Sequence, residues 1–212
     1  MENKNETEAK ESRDSEYRRR ILDAARKLLE QNGPDNVNMY QIAQEAGIGQ
    51  GTLYRRYNHP GEIYGDLMRT SLQRFLDELE AFRDRMVSAG SASALEGLYE
   101  LIVRSLQYID DNAELLALIR CMYAGKKSLI LSKTPMMQRL HDLLKSQLEL
   151  AERNGETPPI DPAGTAGFLL AVLTPEQYLY YRDTAALGKD RYLAGIRRLF
   201  IDGLRIRGEK PQ

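Results

Sequence analysis

Residues 38–57 read Asn38-Met39-Tyr40-Gln41-Ile42-Ala43-Gln44-Glu45-Ala46-Gly47-Ile48-Gly49-Gln50-Gly51-Thr52-Leu53-Tyr54-Arg55-Arg56-Tyr57. The spacing predicts a short helix over 39–46, a turn at Gly47 and a second short helix over 50–57. Asn38 is placed to cap the first helix, its side chain accepting from a backbone N–H two or three residues on. Two short helices that cross steeply need a small residue where they touch, and Ala43 supplies it. The turn between them needs positive φ, and Gly47 supplies that. Ile42, Ala46, Ile48, Leu53 and Tyr57 can then close a small core with the preceding helix.

This packing leaves Gln50, Gly51, Thr52, Tyr54, Arg55 and Arg56 on the outer face and ends of the second short helix. Glutamine and arginine read base edges, threonine touches a thymine methyl, and tyrosine and arginine grip phosphates. Asn38, Met39 and Tyr40, at the start of the first short helix, would face a phosphate with free N–H groups and a favourable dipole. An ordinary helical hairpin with a solvated polar face explains Ala43 and Gly47 poorly together. It also leaves Gly49 and Gly51 unexplained, since glycine inside a helix costs about 1 kcal/mol against alanine. A helix opened by Gly-Gln-Gly-Thr makes sense where a backbone approaches something closely. The segment therefore reads as a DNA-binding helix-turn-helix.

Upstream, residues 1–13 are polar and charged without an apolar anchor and are expected to form a disordered arm. A helix is expected over 15–32, with Ile21, Ala25, Leu28 and Leu29 as one apolar stripe, stopped by Asn32-Gly33-Pro34. Downstream, Asn58-His59-Pro60-Gly61 breaks the chain. A long helix over 61–87 follows, burying Ile63, Leu67, Leu72, Phe75, Leu76, Leu79 and Phe82. Five further helices are expected over 93–109, 113–124, 134–154, 162–184 and 189–207, with Pro175 kinking the fourth of them. The chain is thus all-α with about nine helices. It divides into a helix-turn-helix domain over 14–60 and a larger helical domain over 61–212 for effector binding and dimerisation.

The 212 residues carry a formal net charge of −1, so the chain is no polycation. Residues 13–58 nevertheless hold eight basic side chains against six acidic ones, a small surplus in the segment that matters. The lone cysteine, Cys121, has no internal disulfide partner, which fits a reducing cytoplasm; a buried inert thiol there is commoner than a redox switch. No 18-residue apolar run is present, so no membrane span is expected. His59 and His141 are far apart in sequence with no nearby cysteine, so no metal or other cofactor is expected. No phosphate-binding loop and no Ser/His/Asp arrangement is visible, so the chain is not expected to be an enzyme.

Residues 20–67 resemble the DNA-binding domain of the TetR family. The family's pattern is matched at Ile42, Ala43, Ala46, Gly47, Gly51, Thr52, Leu53 and Tyr54, with Ile48 and Tyr57 as close substitutes. Three positions depart from it: Gly49 replaces the usual serine cap of the recognition helix, Arg56 a usual histidine, and Pro60 a lysine that often holds a phosphate. The resemblance implies a homodimer, a palindromic operator in double-stranded DNA, and a C-terminal domain that takes a small effector and releases DNA. The expected role is then a ligand-responsive repressor, in which the long fourth helix is the lever between effector and DNA.

In such proteins the last two helices of each subunit form a four-helix interface. The residues for it here are Ala163, Gly167, Leu170 and Tyr178 on one helix, and Tyr192, Ile196, Leu199, Phe200 and Gly203 on the other. An effector pocket would lie among Phe75, Tyr99, Ile102, Leu106, Ile119, Arg120, Tyr123 and Phe168. A buried Arg120 would favour an acidic effector. The alternative is a DNA-binding protein whose C-terminal domain takes a protein partner instead of a small molecule.

Overall fold

In the computed structural model, which describes residues 2–33, 36–90, 93–123 and 134–206, every regular element among the described residues is helical. Ten α-helices follow in order: α1 (Glu2–Asn32), α2 (Met39–Glu45), α3 (Gln50–Tyr54), α4 (Pro60–Ala89), α5 (Ala94–Asp111), α6 (Ala113–Tyr123), α7 (Pro135–Arg153), α8 (Pro162–Val172), α9 (Pro175–Leu179) and α10 (Lys189–Arg197). Two π-helical turns, Tyr180–Thr184 and Arg198–Asp202, continue α9 and α10.

α1 begins at Glu2, so the helix takes in the stretch expected to be a disordered arm. The reason is local. Glutamate, lysine and alanine, frequent in this stretch, are good helix formers. Once Ile21, Ala25 and Leu28 anchor the C-terminal half in a core, each added residue costs little.

The chain forms two compact units: Met1–Ser71 with Glu114–Lys126, and Leu72–Ala113 with Lys127–Gln212. The division thus falls within α4 at Ser71, later than the boundary expected at residue 60, and α6 belongs with the first unit. In that unit Ile21, Leu22 and Ala25 from α1 pack with Ile42 and Ala43 from α2, Leu53 from α3, and Ile63 and Leu67 from α4. Leu115, Leu118 and Ile119 of α6 lie against the same core.

In the second unit α7 packs on α5 and α8. α5 buries Leu95, Leu98, Leu101, Ile102 and Leu106, and α7 buries Leu140, Leu143, Leu144 and Leu148. The loop after α7 caps α5 from outside. The Glu156 carboxylate accepts from the Ala94 and Leu95 N–H groups at 2.6 and 3.1 Å and from the Ser93 hydroxyl. Burial pushes the Glu156 pKa up, but these donors outweigh it and hold the carboxyl below its ordinary value. At the other end of α5, Asp110 accepts from Tyr178 Oη at 2.8 Å and Arg182 at 2.6 Å, and pairs with Lys189 at 2.8 Å.

Pro175 does more than kink a helix. α8 stops at Val172 and α9 restarts with Pro175 in its first turn. Proline has no N–H to give the carbonyl four residues back. The Thr174 hydroxyl serves that Ala171 carbonyl instead, at 3.1 Å, and the buried Tyr192 hydroxyl serves Val172 O at 2.6 Å. With the break satisfied by side chains, two helices replace one. The last helix changes register too. Ile196 and Ile201, five apart, are both buried, and the π turn between them accommodates the longer spacing.

Candidate nucleic-acid interface

The two short helices are held by contacts that start in the sequence itself. Asn38 Oδ1 accepts from Gln41 N at 3.0 Å, and Gln41 Oε1 accepts from Asn38 N at 2.9 Å. This reciprocal capping box opens α2. The Asn38 half was readable in advance; the Gln41 half was missed, although glutamine three residues after a capping asparagine is its signature. Gly47 has φ +61°. Arg20 reaches over from α1 and donates to Ala46 O from Nε (3.0 Å) and Nη2 (2.6 Å), and from Nη2 to Gly47 O at 2.7 Å. One guanidinium therefore satisfies the carbonyls at the end of α2, and the turn is locked to α1.

α3 starts at Gly49, which makes no side-chain cap bond, as the departure from serine implies. Leu53 alone is buried on this helix. Gln50, Gly51, Tyr54 and Arg55 are exposed, and Thr52 is half-buried. Tyr54 and Tyr40 are 50% and 54% exposed, unusual for tyrosines on a folded surface. A Cβ added at Gly49 or Gly51 would meet nothing within 4 Å, so the protein's own packing requires neither glycine.

Two of the residues expected near DNA turn their side chains to the protein itself: Arg56 from the outer face, and Met39 at the helix start, whose expected contact is through the backbone N–H. Met39 is buried in the core of the first unit, because the first turn of α2 points it inward against α1. Arg56 is largely covered: it pairs with Asp14, donates to Thr52 O at 3.2 Å, and lies 5.1 Å from the centre of the Tyr17 ring. Asp14 and Tyr17 both stand on α1, so that helix is what engages Arg56. Pro60 stands at the first position of α4, where its missing N–H is no loss.

The residues expected to line an effector pocket come from both units. Ile102 and Leu106 are fully buried in the core of the second unit. Phe75 stacks on Tyr108 with ring centres 4.3 Å apart, and Tyr99 lies under Arg197 at 4.6 Å. Ile119 packs into the first unit. Phe168 is 69% exposed and lines no interior. The side chains of Arg120, Cys121 and Tyr123 lie outside the described residues.

The residues expected at a dimer interface divide in two. Tyr178, Tyr192 and Ile196 are buried in the second unit's own core, where the Tyr178 and Tyr192 rings meet at 5.2 Å. Ala163, Gly167, Leu199 and Gly203 are exposed, and Leu170 and Phe200 are half-buried. Leu199 is 69% exposed, a large apolar side chain left in solvent. No described helix is long and apolar enough to cross a membrane.

The profile of bacterial regulatory proteins of the tetR family matches residues 21–59, which spans the second half of α1 and both short helices. An HTH-type transcriptional regulator of Staphylococcus aureus (strain USA300) is 32% identical over 139 residues, covering 62% of this chain and 69% of that protein. Its counterpart in strain MRSA252 is 31% identical over 136 residues with the same coverage. Among solved structures, the Thermus thermophilus TetR-family repressor FadR, in complex with lauroyl-CoA, has a TM-score of 0.61 at 20% identity, covering 92% of this chain and 99% of that one. A complex of SmeT with triclosan has a TM-score of 0.55 at 19% identity, covering 92% and 97%. The structures share the fold, and the closer relatives share the helix-turn-helix that Asn38, Gly47 and Arg20 build here: this chain belongs to the tetR family of bacterial regulatory proteins and is a DNA-binding transcriptional regulator.

Proposed function

We propose that the chain is a homodimeric repressor that binds a palindromic operator through α3 in the major groove and is released by a small organic effector. The observation that carries this reading is the bare outer face of α3. Gln50, Tyr54 and Arg55 stand in solvent around a helix anchored only by Leu53, and Gly49 and Gly51 leave its first turn open to close approach. Gln50 reads a base edge, and Thr52 touches a thymine methyl. Tyr40, Tyr54 and Arg55 hold phosphates that set the register. Asn38 acts through its cap, by fixing the start of α2. Met39 and Arg56 serve the protein's own packing in the free state.

Dimerisation uses the exposed ridge of α8 and the last helix. Ala163 and Gly167 permit close approach, and Phe168 and Leu199 supply apolar area. A two-fold axis through this ridge places two α3 helices in successive major grooves, about 34–36 Å apart. The effector binds in the second unit; the lauroyl-CoA and triclosan complexes of the structural neighbours support a small organic ligand, not its place. Gln147 supports this: its carboxamide oxygen is buried with no hydrogen-bond partner among the described residues, a cost that a ligand donor would remove. α4, whose residues belong to both units, carries the resulting population shift. The regulator works in the cytoplasm and performs no catalysis.

Selection of genomic fragments on the purified protein, followed by sequencing, tests this. An enriched inverted repeat with half-sites about one helical turn apart is the expected result. Recovery of no enriched sequence at modest salt would overturn it.

A further inference from the structure

We propose that Asp66 is a positioning residue for operator recognition: its buried carboxylate, on α4, sets the orientation in which α3 is presented to DNA. The inference rests on the proposed reading of α3 as the recognition helix.

Asp66 is 6% exposed, and its carboxylate joins three parts of the first unit. From α1, Arg18 donates from Nε to Oδ2 at 2.8 Å and from Nη2 to Oδ1 at 2.6 Å, a bidentate pair. From the segment just past α3, the Tyr57 hydroxyl donates to Oδ2 at 2.6 Å. From α4 itself, Arg69 donates to Oδ1 at 3.2 Å. Thr70 backs the arrangement, accepting from Arg18 at 3.1 Å and donating to Asp66 O at 3.0 Å. Four donors fill a carboxylate that offers about four lone-pair sites. Burial and the bond to Asp66 push the Tyr57 phenol pKa well above its usual value, so the hydroxyl stays a donor.

The placement matters because α3 is only five residues long. Its apolar contact is the single side chain Leu53, and apolar burial has no preferred direction. Rotation of so short a helix must be fixed by directional bonds at its ends. Before α3, Arg20 locks Ala46 and Gly47. After it, Tyr57 N donates to Leu53 O at 3.0 Å while its ring tip holds Asp66. The Tyr57–Asp66 bond is therefore the polar anchor at the exit of the recognition helix. Productive readout demands placement within roughly 0.5 Å and 10–20°, so loosening this anchor blurs base readout and leaves charge attraction to phosphates intact.

Tyr57→Phe removes one hydroxyl and keeps the ring in the core; Asp66→Asn keeps the shape and removes the charge that Arg18 pairs with. Each variant and the wild type are titrated, by fluorescence anisotropy at one salt concentration, with the selected operator and with an unrelated duplex of equal length. Thermal melting is recorded alongside. The expected result is a loss of tenfold or more in the ratio of specific to non-specific affinity for both variants, with non-specific affinity within twofold of wild type. A lower melting temperature with that ratio unchanged in Tyr57→Phe would overturn the proposal, since the bond would then serve stability alone. A wild type that itself fails to discriminate would overturn the proposed function, and this inference with it.

Discussion

The terminal nitrogen of Arg20 lies 2.8 Å from the point where a Cβ on Gly47 would stand. Gly47 is thus fixed twice, by its φ of +61° and by an arginine that fills the space a side chain needs. Gly47→Ala should destabilise the protein by about 1–2 kcal/mol from the left-handed conformation, and by more if Arg20 loses its carbonyls. Urea denaturation measures this directly. A midpoint equal to wild type would show that the turn relaxes without resistance.

Asp14 holds Arg56 in the free protein, so the two-charge pair competes with any phosphate for the same guanidinium. Asp14→Asn should free Arg56 for the DNA backbone. Affinity for duplex DNA then rises, and the slope of log affinity against log salt steepens by about 0.9, one phosphate's worth of released counterions. An unchanged slope would place Arg56 away from DNA in the complex as well.

Phe168 and Leu199 are exposed in the protomer, so charge placed on them costs the monomer little. If the proposed dimer forms through this ridge, Phe168→Glu and Leu199→Glu each convert it to a folded monomer in sedimentation equilibrium and lower operator affinity by tenfold or more. Variants that sediment as wild type would move the interface elsewhere.

Asp66 and Glu156 both have carboxyl pKa values held below the ordinary 3.8 and 4.5. For each, burial pushes upward and hydrogen-bond donors prevail, Arg18 and Tyr57 at Asp66, and Ser93 with two backbone N–H groups at Glu156. A depressed pKa contributes stability that is fully present above the unfolded value and is lost as pH falls through the folded one. Stability should therefore decline as pH drops below about 4.5. Glu156→Gln should lose roughly 1–2 kcal/mol at pH 7 and show a smaller loss on acidification, read from urea midpoints at pH 7 and pH 3. A gap between variant and wild type that is the same at both pH values would contradict the assignment.

The helix-turn-helix was legible because its determinants are local. Asn38, Ala43, Gly47 and Leu53 each act within a few residues of where they stand, so their roles follow from spacing and residue type. The Arg20 contact and the Arg18–Asp66 pair were not legible, since the residues that meet lie 26 and 48 apart in sequence and nothing in the intervening pattern pairs them. Met39 misled because an apolar residue at a helix start suits either face. The C-terminal stripe misled for a different reason. Tyr192, Ile196, Leu199 and Phe200 share a face on a uniform α-helix, but the turn at Arg198–Asp202 is wider, and Ile201 takes the buried position that regular spacing assigns to Leu199 or Phe200. Propensity does not announce such a turn; the competition between two buried isoleucines does.

That wide turn also bears on how such chains diverge. It holds one residue more than a regular turn, so a deletion of one codon within 198–202 would close it to a regular turn while the residues downstream keep their direction around the helix axis. Ile196 and Ile201 would then stand four apart, the regular spacing of one helix face, and both would stay buried, whereas the exposed ridge would lose Leu199 if that were the residue removed. Homologous chains one residue shorter here would keep the same core under a changed surface, so the turn is a place where the exposed ridge can vary in length without the packing beneath it being rebuilt.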